Sequence, residues 1–177
     1  MPRAFLGIGS SLDPEKNISA ALGLLLGTPG VEITGISTFY RTPPLPAPGE
    51  PAESVARDPD FLNGVVEIRT AVSPERLAEI LETIEAALGR VPTENRYAPR
   101  TLDLDLLLYD GTRAHPDIRS RPWVALPLLE LDQDLTLPPD GTPLRSIAGQ
   151  FQGPGGEVQR ALTRELRLRY CPGSRED

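Results

Sequence analysis

Two carboxylates, Asp103 and Asp105, stand two residues apart in the run Arg100-Thr101-Leu102-Asp103-Leu104-Asp105-Leu106-Leu107-Leu108-Tyr109. Strict alternation from Thr101 to Asp105 reads as a strand, and a strand sends successive side chains to opposite faces. Leu102, Leu104 and Leu106 then bury together, while Asp103 and Asp105 share the other face about 6–7 Å apart. Carboxylates held side by side repel unless a cation lies between them. This spacing suits a pair of Mg²⁺ ions about 3.5–4 Å apart, the arrangement used for phosphoryl chemistry. The alternative, on these residues alone, is the solvated outer face of an antiparallel sheet.

Arginine is the second chemical signal. The chain carries seventeen arginines and a single lysine, Lys16, within a net charge of −7. Arg90, Arg96, Arg100, Arg113, Arg119 and Arg121 crowd around the acidic strand in sequence. Guanidinium groups make bidentate contacts to phosphate, so their cluster beside a carboxylate pair points to a metal–polyphosphate. The acidic net charge argues against general nucleic-acid binding, which rests on a basic surface. A Walker-type loop is excluded because Lys16 is followed by Asn17; any ATP phosphates must be neutralised by arginine and metal. Gly7-Ile8-Gly9-Ser10 lacks the third glycine of a dinucleotide fingerprint and reads as tight packing at a strand end. His115 is the only histidine, and no serine stands in a nucleophile motif. Trp123, after Arg121-Pro122, is either core or a stacking platform for a flat heterocycle.

These residues must be positioned by a scaffold, and its elements follow from the pattern. Arg3 to Gly9 reads as a buried strand. Asp13 as N-cap and Pro14 open a helix whose apolar stripe is Ile18, Ala21, Leu22, Leu25 and Leu26. Val31 to Tyr40 reads as a second strand and Phe61 to Thr70 as a third. In that third strand Leu62, Val66 and Ile68 lie on one face, Phe61, Asn63, Val65 and Glu67 on the other. Between these strands runs a long loop from Thr42 to Pro59, rich in Pro, Ala and Glu. Ser73 and Pro74 open a second helix, with Leu77, Leu81, Ile84 and Leu88 at helical spacing, and Gly89 closes it. The order β-α-β-β-α-β predicts an α/β (α+β) ferredoxin-like sandwich: an antiparallel sheet, helices on one face, the active site on the other, uncovered face. Pro122 to Leu131 reads as a short helix, Thr136 to Ile147 as a turn-rich return, and Glu157 to Arg169 as a terminal helix after a Gly153–Gly156 hinge. A catalytic domain over 1–150 and a C-terminal extension over 151–177, a helix with a polar tail, are the expected organisation. The lone Cys171 excludes an internal disulfide. No apolar run reaches membrane-span length, and no signal peptide is read at the N-terminus, so no membrane partner and a cytoplasmic location are expected.

Taken in order, the segments resemble the 6-hydroxymethyl-7,8-dihydropterin pyrophosphokinase family of folate biosynthesis. The matching runs are Phe5-Leu6-Gly7-Ile8-Gly9-Ser10, Ser37-Thr38-Phe39-Tyr40-Arg41-Thr42-Pro43-Pro44-Leu45, Asp60-Phe61-Leu62-Asn63, Gly89-Arg90-Val91 and Pro99-Arg100-Thr101-Leu102-Asp103-Leu104-Asp105. His115-Pro116-Asp117 and Arg121-Pro122-Trp123 through Pro127-Leu128-Leu129-Glu130 complete them. The resemblance implies an ATP- and Mg²⁺-dependent monomer that moves the pyrophosphoryl group of ATP onto the pterin hydroxymethyl group and releases AMP. It implies Asp103 and Asp105 as ligands of two Mg²⁺, with Arg90 and Arg100 as catalytic loop arginines. It assigns the ATP side to Glu85, Tyr97, Arg100, Leu106, Thr112, His115 and Arg121. The pterin side falls to Thr42, Pro43, Pro44, Leu45, Phe61, Asn63 and Trp123, with Phe61 and Trp123 as the two stacking aromatics. Only five residues separate Tyr109 from His115, fewer than the family usually has, which predicts weaker ATP binding. Two other readings compete: a generic metal-dependent nucleotidyl or phosphoryl transferase, and a ferredoxin-like RNA-binding module. The first leaves Phe61, Asn63 and Trp123 unexplained, and the second is opposed by a carboxylate-bearing sheet face.

Overall fold

The structure is a computed structural model, and it describes residues 1–173. Its central strand is β1 (Arg3–Ser10), flanked on both sides by antiparallel partners, β4 (Phe61–Thr70) and β5 (Asp103–Tyr109). Helices α1 (Pro14–Leu26) and α2 (Pro74–Ala87) cover one face. Beyond β4 lie β2 (Val31–Ile36) and β3 (Tyr40–Thr42), and beyond β5 lies β6 (Arg113–Ala114). This is the ferredoxin-like plan expected from the element order.

The apolar faces fall where alternation puts them. Leu6, Ile8, Leu62, Val66, Ile68, Leu102 and Leu104 bury under the two helices, against Ile18, Leu22, Leu25, Leu77 and Leu81. Burial of each such side chain stabilises the fold by about 1.5–3 kcal/mol. Leu26, the last member of the expected stripe on α1, is instead exposed, because the helix ends there and its side chain turns outward. Asp13 occupies the cap position of α1, but in the left-handed conformation with no side-chain cap bond. Asn17 binds the preceding Leu12 carbonyl instead, at 2.6 Å. Ser73 does cap α2, accepting from Arg76 N at 3.3 Å.

The expected strand over Val31 to Tyr40 divides in two. Val31–Ile36 pairs with the far half of β4 and Tyr40–Thr42 with its near end. At the break the Phe39 ring turns into the core, fully buried, and it fits because position 64 is glycine: a Cβ there would lie 2.8 Å from the ring. Ser37 repairs the interrupted ladder, its Oγ accepting from Val65 N at 2.8 Å. Strand β5 also departs from alternation. A bulge opposite Phe5 and Leu6 turns Leu107 and Leu108 to the same face, consistent with a bulge's extra residue.

The second face of the sheet is not bare. Helices α3 (Asp117–Ser120) and α4 (Pro122–Leu131), the hairpin β7 (Thr136–Leu137) and β8 (Thr142–Pro143), and α5 (Leu144–Ala148) cover part of it. There Phe5, Val65, Leu107 and Leu108 pack against Ile118, Ala125, Leu128, Leu137, Leu144 and Ile147 in a second core. What stays open is the end of the sheet where β4 begins and β5 begins. The terminal helix is shorter than expected: Glu157–Val158 form a strand, β9, on the edge of β3, and α6 runs over Arg160–Tyr170. Edge pairing captures the first residues. The expected polar tail, Ser174–Asp177, lies outside the described residues.

Candidate active site

A cleft of about 810 Å³ opens at that uncovered end of the sheet. Its floor is the paired ends of β1, β4 and β5, where Gly9 stands opposite both Asn63 and Asp103. Antiparallel pairing with a period of two therefore brings Asn63, Asp103 and Asp105 to one face from segments forty residues apart in sequence. Phe61, Thr42, Pro43 and Leu45 line one side, Trp123 and Arg121 another, and Glu85, Arg90, Tyr97 and Arg100 a third. Asn63 is fixed from below, its Nδ2 donating to Thr42 Oγ1 at 2.8 Å. Arg121 lies over the Trp123 ring at 5.8 Å from the centroid.

Three of the expected site residues stand outside this cleft. Pro44 turns away between Pro43 and Leu45, which both line it. Leu106 lines a shallower hollow on the β5 edge together with Arg113 and His115, since alternation sends it to the helix side of the strand. Thr112 is held in the β5–β6 hairpin, where its hydroxyl donates to Tyr109 O at 2.9 Å. That hairpin turns in the three residues Asp110, Gly111 and Thr112 between the paired Tyr109 and Arg113, the first two at positive φ.

The three aspartates of the site differ in their partners. Asp103 Oδ1 takes Arg90 at 2.9 Å and Arg100 at 3.0 Å. Arg90 is itself shared with Glu85. Asp117 Oδ2 forms an ion pair with Arg121, 3.1 Å from its Nε, and lies 3.9 Å from His115 Nδ1. Asp105 stands between them and, among the described residues, pairs with no arginine or lysine. Burial raises its carboxyl above the usual carboxylate range, and Asp103 and then Asp117 add to the rise, against His115 and Arg90. Asp105, His115 and Asp117 each offer one donor atom, all within 4.8 Å of one another. An uncompensated carboxylate between two others is a fit for a hard divalent cation, whose preferred donors are carboxylate oxygens. The His115 nitrogen suits a phosphate oxygen better than Mg²⁺.

Glu85 is only 7 % exposed. It accepts from Leu104 N at 2.6 Å, closing an amide on the free edge of β5, and it holds Arg90. It acts on the cleft through what it positions. Asp117 went unread as a functional residue in the sequence. Its one signal was its place two residues after His115, and only the turn into α3 brings its carboxylate back toward Asp105.

Fold and cleft together define a class: a ferredoxin-like α+β protein equipped for phosphate chemistry, with guanidinium groups and a carboxylate cluster facing one cavity. The model of the 7,8-dihydro-6-hydroxymethylpterin-pyrophosphokinase (HPPK) family matches residues 5–133. The 2-amino-4-hydroxy-6-hydroxymethyldihydropteridine pyrophosphokinase of Methylorubrum extorquens is 39% identical, over 77% of this chain and 87% of that protein. The protein of the same name from Synechocystis is 32% identical over 97% and 90%. Among solved structures, an HPPK-DHPS in complex with substrates aligns with TM-score 0.62 at 14% identity, over 85% of this chain and 45% of that one. Plasmodium falciparum HPPK-DHPS aligns at 0.58 and 12%, over 85% and 43%. The chain thus spans under half the length of these structures, and the likeness shows the shared fold. The chain belongs to the 7,8-dihydro-6-hydroxymethylpterin-pyrophosphokinase family. Its reaction is pyrophosphate transfer to hydroxymethyldihydropterin in folate biosynthesis.

Proposed function

We propose that the pyrophosphate donor is ATP, that the reaction depends on Mg²⁺, and that the cleft holds both substrates at once. The observation that carries this reading is Asp105, a half-buried carboxylate left without an arginine or lysine partner among the described residues, beside arginine-paired aspartates. The hydroxymethyl oxygen forms a bond to the β-phosphorus, the bond from β-phosphorus to the α-phosphate oxygen breaks, and AMP leaves. Mg²⁺, held by Asp103 and Asp105 with Asp117 beside them, would offset the charge of the triphosphate when bound. Arg90 and Arg100 already face Asp103, so a bound phosphate gives them a second anion to exchange onto. His115 and Arg121 are the donors on the opposite side of the carboxylates. Asp105 is also the carboxylate that this reading assigns to take up the hydroxymethyl proton as the new bond forms.

On the other side, Phe61 and Trp123 supply two flat apolar surfaces, and Asn63 supplies an amide fixed by Thr42. A pterin needs that combination: a flat ring to stack and an edge of alternating donors and acceptors to read. In this reading the protein works as a cytoplasmic monomer of 19.2 kDa. Calorimetric titration with an α,β-methylene analogue of ATP tests the metal and nucleotide together. Binding should require Mg²⁺ and disappear in Asp105→Asn. Equal binding in the presence of a chelator would overturn it.

A further inference from the structure

The pterin side of the cleft is built from elements that are far apart in sequence, Thr42 at the end of β3 and Trp123 at the start of α4. We propose that the segment after Gly149, residues 151–173, is a positioning clamp that fixes these two walls at the separation a flat ring needs. The clamp lies beyond the stretch matched by the family model, which ends at residue 133. It rests on the reading that Thr42, Phe61 and Trp123 take the pterin.

Contact with the first wall is made by backbone. Strand β9 pairs with β3 through Tyr40 with Val158 and Arg41 with Glu157, and Gln159 N donates to Phe39 O at 2.8 Å. Gly156 lies against β3 so closely that a Cβ there would run into the Arg41 carbonyl and come within 2.8 Å of Thr42 Cγ2. Its neighbour Gly155 lies beside the second wall: a Cβ on it would come into van der Waals contact, 3.4 Å from Trp123 Cε3 and 3.5 Å from Pro122 Cγ. Neither glycine lines the cleft. Both lie behind its walls, outside the cleft.

Helix α6 repeats the link a turn or two further on. Arg167 Nε donates to Ile36 O at 2.8 Å, and its Nη2 pairs with Glu130 Oε1 of α4 at 2.6 Å. Glu130 also accepts from Thr38 N and Thr38 Oγ1, each at 3.0 Å. Thr163 Oγ1 accepts from Phe39 N at 2.9 Å. The helix that carries Trp123 and the bend that leads to Thr42 are thus tied directly through Glu130 and Thr38, and α6 reinforces that tie by holding Glu130 and Ile36 O with Arg167. Leu166 and Tyr170 seat the helix in the main core, and Tyr170 shares a 2.7 Å hydrogen bond with Ser19. A wall moved by about 1 Å is enough to cost up to about a hundredfold when a reactant must be held in one orientation.

Steady-state kinetics on full-length Gly156→Val and Arg167→Ala test the clamp, with Arg167→Lys as the conservative variant and Trp123→Ala as reference. The pterin KM should rise about tenfold in both clamp variants, a loss of about 1.4 kcal/mol, with the ATP KM unchanged within about twofold. Arg167→Lys should recover part of the loss, since an ammonium still reaches Glu130. If Gly156→Val fails to fold, the Arg167 pair decides. An unchanged pterin KM in the folded clamp variants, or a rise shared equally by both substrates, overturns the clamp. Trp123→Ala with an unchanged pterin KM instead overturns the assignment of the wall on which the clamp rests.

Discussion

Asp103 and Asp105 begin as equivalent residues of one strand face, and the structure makes them unequal. Asp103 is shared by two guanidinium groups, and Asp105, between Asp103 and Asp117 and near His115, has no arginine or lysine paired to it among the described residues. Replacing Asp105 by Asn should lower turnover by about a thousandfold or more while the protein stays folded, because the side chain keeps its shape and loses the charge that holds the metal and takes the proton. Arg100→Ala should cost about a hundredfold with the fold intact; circular dichroism beside the rate assay separates the two effects. Glu85 answers to pH. Burial raises its carboxyl above the ordinary glutamate value of 4.5, and Asp103 adds to this against the Leu104 N–H and Arg90. The folded chain therefore binds that proton more tightly than the unfolded chain. Its contribution to stability is fully present below the unfolded-state value and is lost as pH rises through the folded-state value. Urea denaturation of wild type and Glu85→Gln from about pH 4 to about pH 8 should show the variant gaining relative to wild type as pH rises. A constant difference, or one of the opposite sign, counts against the assignment. The aspartate pair was legible from alternation alone, and the arginines from their crowding. Asp117 was not, because its approach to Asp105 depends on a turn whose geometry no local pattern encodes.

At the scale of elements, pairing register decides what reaches the cleft. Gly9 stands opposite Asn63, and a Cβ at position 9 would lie 2.6 Å from Asn63 Oδ1. Gly9→Ala should push that amide off its bond to Thr42 and raise the pterin KM about tenfold. Because the clash is with the far end of a side chain, the thermal midpoint should fall by only a few degrees, about 2–4 °C. Differential scanning calorimetry beside pterin kinetics separates the two. Strands β1, β4 and β5 and helices α1 and α2 were legible because each carries a full period of apolar residues and a stop signal. Shorter elements were not. Strand β9 is two residues long and exists only because β3 offers an edge. The break at Phe39 depends on a glycine in another strand, and the bulge at Leu107 on the register with β1.

The whole molecule has two cores, one on each face of a single sheet, and the cleft lies at the end that the second core leaves uncovered. Alternation in the strands predicts the site on that face, but nothing in the pattern predicts that the face is partly covered. The second core is not legible in the sequence because the residues that cover this face, from Ile118 to Ile147, are scattered across turns and short helices with no shared period. Residues beyond 150 belong to the main core as well: Leu166, Tyr170 and Cys171 are buried in it. Removing residues 151–177 should therefore lower stability by about 3–6 kcal/mol, from the loss of two large buried side chains, and a truncated chain should melt far below the full one. The most direct test of the account as a whole is the identity of the products formed from Mg²⁺-ATP and 6-hydroxymethyl-7,8-dihydropterin by the purified protein. AMP and the pterin pyrophosphate should form in equal amounts, and about a thousandfold or more slowly in Asp105→Asn. ADP and a pterin monophosphate would contradict it, since attack would then have fallen on the γ-phosphorus.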